Sequence, residues 1–345
     1  MKKIALLGAA HIHTPDFVRR LLARNDLKVV GVWDHDNERA NLNAQKLGCP
    51  TCSSVDEILK FEALDAVIVC SETNRHEAIV QMVAEAGKHC FVEKPLGMGK
   101  ADSERMEKAL TEAGVLFQTG YFSRSKSAFR KIKELIDTNS FGTISRIRLN
   151  NYHAKNLKEG FEGWMWMTNM EQAGVGAFGD LGTHVLDILL WFMNDLEAVT
   201  ASFSSPVARY PNCDESGEAL LRFKSGVVAS IAAGWVDLAM PVIAEVSGTK
   251  AYAHVAPAKV RSTYDSYTEE LYLKSEEIEN ANGIQPFTDM PKNLPHAFEL
   301  FLDAIQSGEK INLVSAKEAA YRSTVMEAIY EAAATRKWVN VEQYN

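Results

Sequence analysis

The sequence predicts an α/β protein of two domains: a doubly wound parallel sheet over residues 1–122, then an α/β domain over residues 123–345 built on a large, mostly antiparallel open sheet. Three observations carry this reading. The chain has 345 residues, 46% of them hydrophobic, which is more than one ordinary core holds. Its first third alternates short, continuous apolar runs with helical stretches, the pattern of strands buried on both faces. From about Ser123 the strand-like runs follow one another without helices between them, which indicates antiparallel pairing.

The elements follow in order. "KIALLG" is a buried strand, and "PDFVRRLLAR" a helix with Thr14 as N-cap and Pro15 at its first position. "KVVGVWD" is a second strand, and "NERANLNAQKLG" a helix closed by Gly48. "DAVIVC" is the third strand, "HEAIVQMVAEAG" a helix that Gly87 ends, "KHCFVE" the fourth strand, "ADSERMEKALTEAG" another helix and "VLFQTG" the last strand. After a tight hinge near residue 122 come the helix "SAFRKIKELIDT", the long strand "TISRIRLNNYHA", a Trp- and Gly-rich loop and the helix "DLGTHVLDILLWFM". The runs "AVTASFS", "GEALLRF", "GVVASIAAGW", "VIAEVSG" and "KAYAHVA" form the second sheet, and "HAFELFLDAIQSG" and "AKEAAYRSTVMEAIYEAAAT" close the chain as helices.

The totals exclude several classes. A formal net charge of -8 leaves no basic surface for a phosphate backbone, so nucleic acid is not an expected partner. "MKKIALLGAA" has the composition of a signal peptide, but its short apolar part runs straight into "HIHTPD", which favours a buried first strand. "VLDILLWFM" is interrupted by Asp187 and too short to span a bilayer, so a cytoplasmic protein with no membrane partner is expected. Of five cysteines only Cys49 and Cys52 form a C-x-x-C pair. No second pair or histidines at ligand spacing accompany them, so free thiols and no metal are expected.

The stretch "LGAAHIHTPD" lies where a strand-to-helix turn binds a dinucleotide, and its three glycine positions hold Gly8, Ala10 and His13. Ala10 adds one methyl group, which a slightly displaced phosphate tolerates. His13 cannot lie flat between strand and helix, so the helix is expected to start later, at Thr14 and Pro15, with free N–H groups facing the ligand. Asp16 in the first turn repels a pyrophosphate, and His11 or His13, partly protonated, offsets it. Asp34 ends the second strand, where a carboxylate accepts hydrogen bonds from the adenosine ribose and repels a 2'-phosphate. NAD is therefore favoured over NADP, the alternative being that Asp34 only caps the helix near Asn37.

"AEAGKHCFVEKPLG" identifies a resemblance to the Gfo/Idh/MocA oxidoreductases, whose signature ends a strand with Glu-Lys-Pro. "VCSETNRHEAI", "GVGAFGDLGTHVLDILLWF" and "VMEAIYEAAATRKWVNV" resemble further segments of that family in the same order. The resemblance implies a Rossmann domain binding NAD through Gly8, Ala10, His11, Ile12, Asp34, Ser71, His76, Glu93 and Lys94. It also implies that Lys94 reaches both nicotinamide and substrate, with the following peptide often cis, and that Asp180 and His184 are catalytic. Spacings of four and three place Asp180, His184 and Asp187 on one helix face; Asp187 is read either as part of this set or as a polar buffer. Tyr121, Arg124 and Trp164 are substrate-contact candidates with Asp180 and His184, Trp164 and Trp166 being equally readable as core. Phe122 departs from the polar residue often found at its place, and Tyr152 and His153 are read either as further substrate contacts or as solvent-facing strand residues.

The implied reaction is hydride transfer between NAD and a hydroxyl carbon of a sugar, cyclitol or related polyol, with His184 as base and Lys94 on the alcohol oxygen. A homodimer or homotetramer is expected through the open sheet face. Two readings stay beside it: an NAD-retaining glycosidase-like or epimerising enzyme with no net redox change, and a ligand-sensing regulator on the same fold.

Overall fold

The computed structural model describes residues 1–258, 268–309 and 314–342. Its first part runs β1 (Lys2–Leu7), α1 (Thr14–Leu22), β2 (Leu27–Trp33), α2 (Asn37–Leu47), α3 (Val55–Leu59), β3 (Leu64–Val69), α4 (His76–Glu85), β4 (His89–Val92), α5 (Lys100–Ala113) and β5 (Phe117–Thr119). The second continues with α6 (Ser127–Asp137), β6 (Ile144–Tyr152), α7 (Met170–Ala173), α8 (Ala177–Phe192), β7 (Leu196–Ser204), β8 (Ser216–Phe223), β9 (Val228–Gly234), β10 (Ala244–Gly248), β11 (Ala251–Pro257) and β12 (Glu269–Ser275). It ends with α9 (Ala297–Ser307), α10 (Ala316–Thr335) and β13 (Val339–Asn340). The short helices α3 and α7 and the strands β12 and β13 have no counterpart in the sequence reading.

Two compact units result: Met1–Phe122 with Glu171–Gly174 and Pro295–Thr324, and Ser123–Met170 with Val175–Leu294 and Val325–Asn345. The chain after residue 122 is thus not one continuous body, and the first sheet explains why. Its five parallel strands, in the order β2-β1-β3-β4-β5, are apolar on both faces. Ala5, Leu7, Val67 and Val69 look one way, toward Ile58 of α3, Ile79 and Val83 of α4, Met106 and Leu110 of α5, and Ala319 and Ala320 of α10. Ile4, Leu6, Ala66 and Ile68 look the other way, where α1 and α2 supply Phe17, Val18, Leu21 and Ala44. The cover on that face is completed by Phe298, Phe301 and Leu302 of α9, with Phe298 stacked on Phe17 at 4.3 Å and Phe91 edge-on to both. A parallel sheet needs both faces buried, and here the missing layer comes from late in the chain.

The second unit is an eight-stranded sheet in the order β12-β11-β10-β6-β9-β8-β7-β13. Only β6 and β9 pair in parallel; the other neighbours are antiparallel. Buried and less buried residues alternate along β8 and β11, so one face packs and the other is open. Helix α8 lies on the packed side against β6, β8 and β9, which is why nearly all its residues are buried.

Candidate functional site

In the first unit the turn after β1 begins at Gly8, whose φ of +79° is a left-handed conformation. A Cβ at that position would stand 2.6 Å from Cα and Cβ of Ser71, so both conformation and contact require glycine. The turn then departs from expectation. Thr14 opens α1 instead of capping it, and His13 is the N-cap. The backbone donors expected to face a ligand are largely engaged inside the protein. Gly8 donates to Trp33 O at 2.7 Å, His11 to Cys70 O at 3.0 Å, Thr14 to His11 O at 2.9 Å and Asp16 to His13 O at 3.0 Å, while Pro15 has no N–H. His13 N–H donates to Nδ1 of His11 at 3.2 Å. Ala10 is buried and Ile12 half-buried. Asp16 does not stand as a bare charge either, since Arg19 and Arg20 both bond its carboxylate. Burial would raise its pKa, but the two guanidinium groups outweigh that and hold it low.

Asp34 follows β2 and is fully enclosed. Its Oδ2 accepts the Ala9 N–H at 2.7 Å and its Oδ1 the Asp36 N–H at 2.9 Å. Arg39 bonds both oxygens, Nε and one terminal nitrogen each at 2.7 Å, and also reaches Glu72 at 2.9 Å. Capping of α2 belongs to Asp36, which accepts the N–H groups of Glu38 and Arg39, so the reading of Asp34 as a simple cap is set aside. Asp34 instead ties the glycine turn to the end of β2. Sequence reasoning missed Glu72, whose only signal is its place beside Ser71 after β3.

At the end of β4, Glu93 is completely buried. His13 Nδ1 stands 3.1 Å from Oε1, His11 Nε2 lies 3.8 Å from Oε2, and Lys94 N–H donates to Oε2 at 2.8 Å. Burial alone would raise its pKa, but the two imidazoles and Lys94 outweigh it and hold the carboxyl well below its ordinary range. Ligand atoms of His11, His13 and Glu93 lie within 4.8 Å of one another, a grouping that the sequence, with Glu93 far from the histidines along the chain, does not announce. Lys94 is buried, and the Lys94–Pro95 peptide is cis. His76 sets both ring nitrogens against backbone carbonyls, Leu96 O at 3.0 Å and Ser71 O at 3.3 Å, and burial lowers its pKa. It thereby links the turn after β3 to the segment after Lys94. Tyr121 is buried, and Phe122 stacks on His296 with ring centroids 5.0 Å apart.

In the second unit the candidate residues gather on α8. The helix enters through Gly176, where a Cβ would stand 2.3 Å from Asp214 Oδ1. Asp214 Oδ2 accepts the Phe178 N–H at 2.7 Å. Tyr330 donates its hydroxyl to Asp214 Oδ1 at 2.8 Å and accepts the N–H groups of Gly176 and Gly179. Two residues distant in sequence thus satisfy donors that a helix start leaves open. Burial raises the Asp214 pKa, with Asp180 adding to it. Asp180 accepts the Trp235 indole N–H at 3.0 Å. His184 is buried one helical turn further on, and Asp187 one turn beyond forms a bidentate pair with Arg124, whose Nε reaches Oδ2 at 2.9 Å and whose terminal nitrogen reaches Oδ1 at 2.6 Å. The guanidinium of Arg124 is therefore turned to the helix. Trp166 is buried, while Trp164 is half-buried beneath the Lys155 ammonium at 5.4 Å. His153 is buried and Tyr152 half-buried, so neither is a plain solvent-facing residue. Asp214, Tyr330 and Trp235 carried no signal in the sequence.

The residues of the first unit fit a dinucleotide: a glycine held against Ser71, a buried carboxylate at the end of β2 and a buried lysine after β4. Comparison with known proteins agrees. The description "Oxidoreductase family, NAD-binding Rossmann fold" matches residues 2–121, and "GFO/IDH/MocA C-terminal domain" matches residues 129–254. A 1,5-anhydro-D-fructose reductase of Ensifer adhaerens is 28% identical over 72% of this chain and 74% of its own. A myo-inositol 2-dehydrogenase of Thermotoga maritima is 28% identical over 66% of this chain and 67% of its own. Among solved structures, the WlbA dehydrogenase from Bordetella pertussis in complex with NADH and UDP-GlcNAcA has the same fold, with a TM-score of 0.81 over 99% of both chains at 21% identity.

Proposed function

We propose, from the premise that this chain belongs to the Gfo/Idh/MocA oxidoreductase family, that it is an NAD-dependent dehydrogenase moving a hydride between NAD and a hydroxyl-bearing carbon of a sugar, cyclitol or related polyol. The observation that carries the reading is Lys94, a buried lysine at the carboxyl end of β4, where a doubly wound parallel sheet presents its ligands. When bound, the dinucleotide supplies the hydride acceptor. The chain's own task is to hold the alcohol and take its proton. Lys94 donates a hydrogen bond to the alcohol oxygen and favours negative charge as it develops. His184 accepts the hydroxyl proton at a ring nitrogen, and Asp180, held by Trp235, sets a carboxylate one turn before it. Tyr121 and Trp164 supply apolar substrate contacts, whereas Arg124 acts through α8. The names of the two curated relatives support the substrate class.

Gly8, Ala10, His11 and Ile12 would hold the dinucleotide's pyrophosphate, with Ser71, His76 and Glu93 supporting that turn. Preference for NAD over NADP rests on Asp34, whose carboxylate at the end of β2 suits ribose hydroxyls and repels a 2'-phosphate, while Glu72 beside it is paired with both Arg39 and Arg75. The open face of the eight-stranded sheet supports a homodimer or homotetramer. A net charge of -8 argues against nucleic acid, and five free thiols fit the cytoplasm.

The purified protein is to be titrated with NADH and NADPH and then assayed against a polyol panel. NADH binding and reduction of NAD by a panel member are expected. Lys94→Ala and His184→Asn lower kcat by about 10²- to 10⁴-fold while still binding NADH. Near-normal turnover in either variant removes that residue from the mechanism, and a wild type that binds neither dinucleotide removes the reading.

A further inference from the structure

The second unit buries the carboxylate of Glu215, just before β8, completely. A charge kept from water needs hydrogen-bond donors, and here four N–H groups supply them. Oε2 accepts those of Val207 at 2.7 Å and Ala208 at 2.9 Å, and Oε1 accepts that of Arg209 at 2.9 Å and the side-chain amide of Asn156 at 2.6 Å. Burial alone would raise the pKa, but these donors outweigh it and hold the carboxyl below its ordinary range. Three successive backbone N–H groups turned to one anion require a tight bend, and Ala208 takes up a φ of +54° to make it, a conformation costly to an alanine.

The bend sets the next two side chains on a second segment. Arg209 donates to the carbonyls of Asn156 at 3.0 Å, Lys158 at 3.4 Å and Glu159 at 3.2 Å, and the Tyr210 hydroxyl accepts the Phe161 N–H at 2.7 Å. Residues 156–161 are thus held by the segment that Glu215 bends and, through Asn156, by Glu215 itself. Together they enclose Trp235. Its N–H donates to Glu215 O at 2.9 Å, its carbonyl accepts the Asn156 N–H at 3.0 Å, and its ring lies 4.2 Å from that of Phe161. The indole is fully buried, and its own N–H ends on Asp180 Oδ2 at 3.0 Å.

We propose that Glu215 is a positioning residue for Asp180: it fixes the backbone and ring of Trp235, and the indole N–H in turn fixes the plane of the Asp180 carboxylate. This rests on the reading of Asp180 as a member of the catalytic set. An indole has one N–H, which donates along one direction, so a ring that tilts gives up the bond. The terminal torsion of an aspartate is broad, and without that bond its place one turn before His184 no longer decides where its oxygens point.

The test compares Glu215→Gln, Trp235→Phe and the double variant. Glutamine keeps the shape of the side chain but turns one acceptor into a donor. In protein isotope-labelled at the tryptophan nitrogens, the Trp235 indole resonance is assigned by its absence from Trp235→Phe, and Asp180→Asn marks its position once the carboxylate charge is gone. Glu215→Gln is expected to move the resonance toward that position. With a substrate from the polyol panel, Glu215→Gln and Trp235→Phe are each expected to lower kcat about tenfold, the loss of one hydrogen bond to a charged group, with KM little changed. The double variant is expected to lose no more than Trp235→Phe alone, because Glu215 acts through the indole. NADH affinity is expected to stay at the wild-type value. Circular dichroism establishes that each variant is folded. If Glu215→Gln is not, Asn156→Ala removes one donor of the cluster while keeping its backbone bond to Trp235, and the same shift and loss of kcat are expected of it. An unmoved indole resonance, kcat losses that add in the double variant, or a raised KM with kcat intact overturns the proposal and leaves the dehydrogenase reading standing. A wild type that turns over no panel member overturns that reading instead, and the resonance still decides whether Glu215 sets the indole.

Discussion

Two arginine–aspartate pairs, one in each unit, share nearly the same geometry and differ in what surrounds them. Arg39 holds Asp34 through two bonds of 2.7 Å; Arg124 holds Asp187 through bonds of 2.9 and 2.6 Å. Both aspartates are fully enclosed. Arg124 is 4% exposed where it pairs with Asp187, whereas Arg39 is 25% exposed and divides its charge between Asp34 and Glu72. Where water is excluded on every side, breaking such a pair strands a charge in apolar surroundings. Where one side is open, a ligand hydroxyl can replace part of the bonding at little cost. The same two residue types thus build scaffold under α8 and, on the function proposed above, a ribose contact at the end of β2.

The largest expected effect breaks the enclosed pair. Arg124→Ala leaves Asp187 charged and buried, and a loss of about 3–5 kcal/mol is expected in urea denaturation. The double variant Arg124→Met, Asp187→Leu recovers most of that loss, since it removes both charges together. A single-variant cost under about 1 kcal/mol would mean that water reaches the pair, a cost typical of exposed ion pairs, and would erase the distinction.

The two pairs also differ in how far they could be read from the chain. Asp34 and Arg39 are five residues apart across a strand end and a helix start; Asp34 was readable as a candidate ribose acceptor from its place after β2, but its bidentate bond to Arg39 was not. Arg124 and Asp187 meet only through the fold, and sequence alone divided them between a substrate role and a polar buffer. The same rule holds elsewhere. The parallel sheet was legible because each strand is a local apolar run, and Lys94 and His184 because they sit in short motifs. Glu93 beneath His13, Asp214 and Tyr330 at the entry of α8, and the return of α9 to the first sheet depend on contacts between distant segments. No local pattern encodes them.

The next effect sharpens the recognition side. Asp34→Ala removes the acceptor of the Ala9 N–H and, on the proposed function, of the ribose hydroxyls, and NADH affinity is expected to fall about ten- to a hundredfold, the loss of one to two good hydrogen bonds. It also frees Arg39 toward a 2'-phosphate. NADPH is therefore expected to lose less than NADH, and the ratio of the two dissociation constants measures it. An unchanged ratio would confine Asp34 to holding the turn.

The smallest expected effect on stability is that of Arg39→Ala, and its sign on selectivity is opposite. Without the guanidinium, Asp34 keeps the N–H groups of Ala9 and Asp36, and water enters from the exposed side, so the cost is expected to stay near 1 kcal/mol, well below that of Arg124→Ala. Glu72 keeps the Arg75 guanidinium at 3.4 Å, whereas Asp34 is left without one. Its repulsion acts on a phosphate far more than on a hydroxyl, so NADPH binding is expected to weaken more than NADH binding. Parallel titrations of both dinucleotides with the Arg39 and Asp34 variants give opposite shifts if the open pair reads the ribose. Shifts of the same sign would place Arg39 with Arg124, as scaffold only.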